Sequence, residues 1–258
     1  MKHLEELIKT VEILRSENGC KWDREQTHAS LRPNMLEEAY EAVDAIDSGD
    51  IKNLREELGD VLLQVVLHAQ IAKDNNEFDI EDVANDINQK LIERHPHVFS
   101  DVKVKNVQEI LDNWDKIKKK QKPNRKSILD GISKAQSALM SAQKISKRAV
   151  GVGFVWQNLE QLHECILSEF DEFNRAQTQE EREEEFGDIL FSLVNLARWK
   201  GLDAEQCLII ANNKFEKRFR KMEEFTLKPL QELTFEEWED LWIEAKESVK
   251  KEQNEKMS

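Results

Sequence analysis

The chain repeats itself once, and the repeat limits its fold more than any other feature does. EELGDVLLQVVLHAQ at 56–70 returns as EEFGDILFSLVNLAR at 184–198, displaced by 128 residues. LEEAYEAV matches LSEFDEFN with a displacement of 131, so that Glu38 and Glu41 fall on Glu169 and Glu172. KLIER (90–94) matches KFEKR (214–218) at 124, and WDKIK (114–118) matches WIEAK (242–246) at 128. GCKW (19–22) has its counterpart in GFVW (153–156). Displacements that drift by a few residues fit two copies of one module with different loop lengths. A repeat this long, present only twice, is a duplication and not a solenoid. Between the copies, the basic stretch KIKKKQKPNRKSILDGI (116–132) holds Pro123 and Gly131 and lacks apolar periodicity, so it reads as a connection. The expected organisation is an N-terminal domain 1–120, a linker 121–133 and a C-terminal domain 134–258.

Only 8 glycines and 4 prolines, with 35% charged residues and little β-branched alternation, favour helix throughout. Five helices are expected in the first copy, at 2–16, 33–47, 51–73, 79–94 and 106–120. Five more follow in the second, at 134–149, 158–175, 179–200, 203–223 and 234–251. Val61, Leu62, Val65, Val66 and Ala69 recur at three and four residues, forming one core-facing stripe. The fold class is therefore all-α, two tandem helix-bundle domains from an internal duplication.

The longest nearly apolar run, VLLQVVLHAQIA (61–72), is too short to span a bilayer and is interrupted by Gln64, His68 and Gln70. MKHLEELIKTVEILR at the start reads as an amphipathic helix without the apolar centre of a signal peptide. Cys20, Cys165 and Cys207 are scattered and odd in number, which argues against a disulfide framework and for a reducing cytoplasm. A formal charge of −14 opposes a broad nucleic-acid surface. It leaves room for a small phosphorylated ligand, because a bound cation inverts the electrostatics of an acidic pocket.

The acids themselves carry a pattern. Glu38 and Glu41 are three apart on one expected helix, as are Glu57 and Asp60 on the next, and residues that far apart project from one side. The break at Ser48-Gly49-Asp50 is short enough to make the two helices antiparallel neighbours. Four carboxylates meeting at an apolar seam would repel unless a cation sat among them. All-oxygen ligation suits Mg²⁺ or Mn²⁺. Glu-rich helix faces are also common as plain solvated surface. Against that bland account, Glu169, Glu172, Glu185 and Asp188 reproduce the arrangement, again with a glycine before the aspartate and an apolar run after it.

Basic and aromatic residues accompany each set. Lys90 and Arg94 share a helix face, as do Lys214 and Arg218, and Trp114 with Lys118 and Trp242 with Lys246 are again four apart. Cations beside a carboxylate-bound metal are what a polyphosphate requires. A tryptophan can stack on a base or pack in the core, and for either one taken alone core packing is the expected role.

With these elements in view, the chain resembles the MazG family of nucleoside triphosphate pyrophosphohydrolases. The matching segments are GCKWDREQTHASL (19–31), the E-E-x-x-E of 37–41, the E-L-G-D of 57–60 and ERHPHVF (93–99). In the second half they are GVGFVW (151–156), EFGD (185–188) and NKFEKRFR (213–220), so the resemblance covers nearly the whole chain. It implies an all-α, Mg²⁺-dependent homodimer, with Mn²⁺ as an alternative ion. Such an enzyme cleaves NTPs and dNTPs to the monophosphate and pyrophosphate and cleans the nucleotide pool. Carried over by position, the metal ligands are Glu38, Glu41, Glu57 and Asp60, then Glu169, Glu172, Glu185 and Asp188. Lys214, Arg218 and Trp242 match positions that contact the nucleotide. Glu172, Glu185 and Asp188, with Glu37 in the first copy, are the expected catalytic acids. One departure stands out: Ser168 replaces the leading Glu of E-E-x-x-E in the second copy, where the first has Glu37. The second copy is nonetheless the expected catalytic one, since its NKFEKRFR is the better match at the nucleotide.

Two rivals come from other classes. Carboxylate-rich bundles also house di-metal oxidoreductases built on E-x-x-H, and EQTH (25–28) and EQLH (160–163) are present. Both precede the acid helices, however, and the E-x-x-D pairs stand where E-x-x-H is needed. A non-enzymatic dimerisation scaffold with solvated acids is the other. No P-loop glycine cradle occurs. His95 and His97 are expected to be structural, with Pro96 ending a helix.

Overall fold

The computed structural model describes residues 2–121 and 125–256, in two units, Met1–Pro123 and Asn124–Ser258. The N-terminal unit runs α1 (Lys2–Arg15), α2 (Lys21–Glu25), α3 (Arg32–Ser48), α4 (Ile51–Asp74), α5 (Ile80–Arg94), α6 (Pro96–Phe99) and α7 (Val107–Gln121). The C-terminal unit runs α8 (Ala138–Val150), α9 (Leu159–Arg175), α10 (Gln179–Trp199), α11 (Ala204–Phe225), a 3₁₀ turn at Leu230–Glu232 and α12 (Phe235–Lys256). No strand occurs among the described residues.

Local chemistry explains the helix ends that matter. Gly49, at φ 72°, ends α3 in the left-handed region that a Cβ disfavours. The next residue, Asp50, caps α4 by accepting from the Lys52 and Asn53 amides. This two-residue reversal folds α3 back against α4. In the C-terminal unit, Thr178 and Glu181 form the capping box of α10, which only residues 176–178 separate from the end of α9 at Arg175, and α9 and α10 pack together likewise. The remaining packing repeats in order: α1 lies on α4 as α8 lies on α10, and α5 pairs with α7 as α11 pairs with α12.

The N-terminal core is built from Val11 of α1, Leu31, and Val66, Leu67 and Ile71 of α4, with Leu7, Ile8, Leu63 and Ile80 around them. It occupies the C-terminal half of α4, where Gln64, Gln70 and Ala72 are also buried. Arg15 fastens that end, donating through Nε to Asp74 at 2.8 Å while Gln70 donates to the other carboxylate oxygen at 2.8 Å. The expected stripe is corrected at one position: Leu62 is exposed, as is Leu58 one turn before it, on a face that none of the described residues of the unit covers.

Two further differences have simple causes. The helix expected from 134 begins at Ala138, because Ser133 accepts from the Ala135 amide in a local turn and Ser137 is the residue that caps. Pro96 does not merely end a helix; α5 stops at Arg94 and Pro96 opens the short α6. Of the expected linker, residues 122–124 lie outside the described residues. Beyond them, Asp130 accepts from the Lys126 and Ser127 amides, and the Arg148 guanidinium donates to the carbonyls of Ile128 and Asp130, so this stretch is tied to α8.

Candidate metal and nucleotide site

In each unit the helical hairpin brings three glutamates together. Glu38 and Glu41 from α3 and Glu57 from α4 have carboxylate oxygens within 4.8 Å of one another, and Glu169, Glu172 and Glu185 do the same on α9 and α10. Glu38, Glu57, Glu169 and Glu185 are half-buried, whereas Glu41 and Glu172 are exposed. Asp60 and Asp188 fall outside those triplets but stay close enough to be felt. Glu38 is pushed above the ordinary carboxylate range by burial, then by the charges of Asp60 and Glu41, against the hydrogen bond it accepts from Gln64. Glu57 rises through burial, then the charges of Glu41 and Asp60. Glu185 rises through burial, then Glu172 and Asp188. Burial and neighbouring acids are the dominant influences on all three. Such a set favours a carboxyl that keeps its proton, or a positive ion that replaces the proton.

Glu37 is exposed and adds the smallest of the charge influences on Glu38. Its counterpart Ser168 donates to Glu172 at 2.8 Å. Cys165 donates its thiol hydrogen to Glu169 at 3.4 Å, and burial, that hydrogen bond and the surrounding carboxylates push the thiol up to about 11. Neither Gln64 nor Cys165 was among the expected site residues. Gln64 had one visible sign, a polar residue inside an apolar run one turn after Asp60; nothing in the sequence marked Cys165.

The expected nucleotide-contact residues assemble on the other helix pair of each unit. Lys90, Lys118, Lys214 and Lys246 are exposed. Arg94 on α5 donates to Gln121 of α7 through Nε at 3.1 Å and Nη2 at 3.0 Å, and Gln121 in turn donates to Glu93 at 2.5 Å. Trp114 is half-buried between the His95 ring, edge-on at 5.0 Å, and the Lys118 ammonium at 5.3 Å, and its indole N–H has no acceptor. In the C-terminal unit the Arg218 guanidinium lies 5.5 Å from the Trp242 ring, beside Phe215, with its Nε–H buried and unpaired.

The E-x-x-H histidines stand elsewhere. His28 stacks on His68 of α4, and His163 is exposed; no histidine joins either carboxylate triplet among the described residues. That removes the donor a di-metal oxidoreductase would need from E-x-x-H.

Comparison with known proteins follows the same lines. The MazG nucleotide pyrophosphohydrolase domain matches residues 26–99. The Thermotoga maritima nucleoside triphosphate pyrophosphohydrolase/pyrophosphatase MazG is 46% identical over 246 residues, covering 94% of this chain and 95% of its own. An Escherichia coli K12 nucleoside triphosphate pyrophosphohydrolase is 43% identical over 257 residues, covering 95% and 98%. A crystal structure of a mazG-related protein from Thermotoga maritima aligns at 28% identity with 46% of this chain and 99% of its own, with a TM-score of 0.39.

Proposed function

Because this chain belongs to the MazG family of nucleoside triphosphate pyrophosphohydrolases, we propose that it converts NTPs and dNTPs to the monophosphate and pyrophosphate at its glutamate triplets, with Mg²⁺ or Mn²⁺ as cofactor. The chain is a nucleoside triphosphate pyrophosphohydrolase; the cofactor, the residue roles and the assembly are our assignment. The observation that carries it is the convergence of three glutamates in each unit within 4.8 Å. The donors fit such an ion: they are hard carboxylate oxygens, partly withdrawn from water, and the charges that weigh most on Glu38, Glu57 and Glu185 are those of neighbouring acids. Glu169, Glu172, Glu185 and Asp188 would hold it in the C-terminal unit, and Glu38, Glu41, Glu57 and Asp60 in the N-terminal one. A bound divalent cation neutralises phosphate charge and makes water a better nucleophile.

The chain's own groups supply the rest. Asp188, exposed beside Glu185, orients the water that attacks the α-phosphorus and receives its proton. In the N-terminal unit Asp60 is the equivalent of Asp188, and Glu37, which the second copy lacks, is an additional catalytic acid there. Lys214 and Arg218 neutralise the departing pyrophosphate, and the Trp242 face, flanked by Lys246, receives the base. Lys90, Arg94, Trp114 and Lys118 are the N-terminal equivalents.

The acting form is a homodimer. Leu36, Leu58 and Leu62 are exposed on α3–α4, and their counterparts Leu167, Phe186 and Leu190 are exposed on α9–α10. Apolar stripes that recur at matched positions are suited to a second copy of the same chain. The three cysteines are free and no described helix is long and apolar enough to cross a membrane, which supports work in the reducing cytoplasm.

The test is pyrophosphate release from a panel of NTPs and dNTPs by the full chain, with Mg²⁺ added or chelated. Glu172→Ala and Asp188→Ala should each abolish it. Turnover unchanged by both, and also by Glu41→Ala, would overturn the assignment.

A further inference from the structure

Gln64 belongs to no role considered so far. It sits on α4 one turn beyond Asp60 and is 5% exposed. Its side chain reaches Glu38, while its carbonyl Oε1 is buried and without a partner. A buried, unpaired carbonyl is costly, because the hydrogen bond it had in water is not replaced. The repeat supplies an internal control. The equivalent position, 128 residues on, is Ser192, just as buried at 4%, whose hydroxyl turns back to its own helix and donates to the Ile189 carbonyl at 2.9 Å. Ser192 leaves no orphaned atom, and the glutamate equivalent to Glu38 is served by the Cys165 thiol instead.

We propose that Gln64 is a positioning residue of the N-terminal triplet: its N–H fixes the orientation of the Glu38 carboxylate, and its free Oε1 becomes paired when a hydrated divalent cation enters. This rests on the triplet's being a cation site, as argued above. The chemistry is that of the outer shell of a metal centre. Mg²⁺ and Mn²⁺ keep part of their water, water needs acceptors, and a carboxylate ligand binds best when a neighbour fixes its orientation. The amide meets both needs with its two ends, one toward Glu38 and one unpaired. Ser192 can meet neither.

The experiment uses the full chain with Glu172→Gln and Glu185→Gln, so that Mn²⁺ binding reports on the N-terminal triplet. Free Mn²⁺ is counted by electron paramagnetic resonance, and thermal unfolding is followed with and without the ion. Gln64→Met, similar in length and apolar, should weaken Mn²⁺ binding about 10- to 100-fold, the usual scale for outer-shell partners. It should leave the metal-free Tm unchanged or higher, since it removes an unpaired buried acceptor, while shrinking the rise in Tm that Mn²⁺ produces. A merely structural glutamine would show the reverse: a lower metal-free Tm and an unaltered Mn²⁺ affinity. That outcome overturns the proposal. If the substitution prevents folding, Gln64→Asn, which keeps the amide but withdraws it by one methylene, should still weaken binding; normal Mn²⁺ affinity there overturns it equally. Failure of the double-glutamine chain itself to bind Mn²⁺ overturns the cation site, a result separate from loss on changing Gln64 alone.

Discussion

The two units share the same triplet geometry and differ in what surrounds it. The N-terminal triplet has an additional acid in Glu37 and an amide, Gln64, beside Glu38; the C-terminal one has the Ser168 hydroxyl donating to Glu172 and the weaker Cys165 thiol donating to Glu169. On the nucleotide side the contrast runs the other way. Arg94 is engaged by Gln121, which is itself tied to Glu93, whereas the buried Nε–H of Arg218 is unpaired beside the Trp242 ring. One copy is thus better equipped around its acids, the other around a phosphate-binding arginine. Duplication allows such a division, because each copy is free to lose what its sibling retains.

The sharpest way to break this comparison is to disable each triplet in turn. Glu172→Ala with Glu185→Ala should cost pyrophosphate release at least about 10²-fold, the scale of removing a group that stabilises charge in the transition state. Glu41→Ala with Glu57→Ala should cost less than about 10-fold, on the same scale. Equal losses would mean the nucleotide-side differences are immaterial, and the reverse order would place the chemistry in the N-terminal copy. Steady-state kinetics on the full chain reads all three outcomes.

The arginines come next. Arg218→Ala should lower kcat/KM about 10- to 100-fold with little change in Tm, since its buried Nε–H makes no hydrogen bond among the described residues. Arg94→Ala should weigh the other way, costing roughly 1–2 kcal/mol of stability by freeing the Gln121 link between α5 and α7, with a smaller loss of turnover than Arg218→Ala. Urea unfolding beside kinetics separates the two.

Metal addition gives a smaller effect with a definite pH dependence. Glu38, Glu57 and Glu185 have folded-state values raised above the ordinary carboxylate range, burial first and neighbouring acids second. A raised carboxyl binds more protons in the folded state, so stability falls as pH rises through the window between the ordinary and the raised value. Above that window the repulsion is fully present, and a divalent cation relieves the most. Mg²⁺ should therefore raise Tm more at pH 8 than at pH 5, with chelator reversing it. A rise of equal size at both values would show that Mg²⁺ acts away from the triplets.

Much of this was legible in the sequence, for identifiable reasons. Asp50, Asp79 and Thr178 are strong caps directly ahead of apolar periodicity, and the helices they open start within one residue of expectation. The meeting of three glutamates per unit was foreseeable because helix spacing and a short reversal leave little freedom. What escaped depended on competition between equals or on contacts across chain distance. Ser133 and Ser137 are both plausible caps, and only the fold assigns one to a turn. Leu62 has the right spacing for the core, yet the face it shares is not covered within its own unit. The Gln64–Glu38 contact joins residues 26 positions apart on different helices, which no local pattern reveals.

The smallest effect concerns a pair present in only one copy. His28 and His68 stack with centroids 5.0 Å apart and ring planes 1° from parallel, their Nδ1 atoms 2.7 Å apart, so one ring donates to the other. That hydrogen bond requires at least one neutral ring, and two imidazolium ions so placed would repel. His68 is held below the ordinary imidazole range, by burial first and by His28 second. A depressed base binds fewer protons folded than unfolded, so its stabilising share is fully present above the ordinary value near 6.5 and is lost as pH falls through the lowered one. The equivalent of His68 in the second copy is Leu196, which carries no such dependence. The N-terminal unit should therefore loosen ahead of the C-terminal one between neutrality and mild acid, seen as faster amide exchange along α4 than along α10. Replacing His68 with leucine should bring the two helices into step, and an α4 whose exchange stays locked to α10 at every pH in the wild-type chain would show that the pair does not titrate in this window.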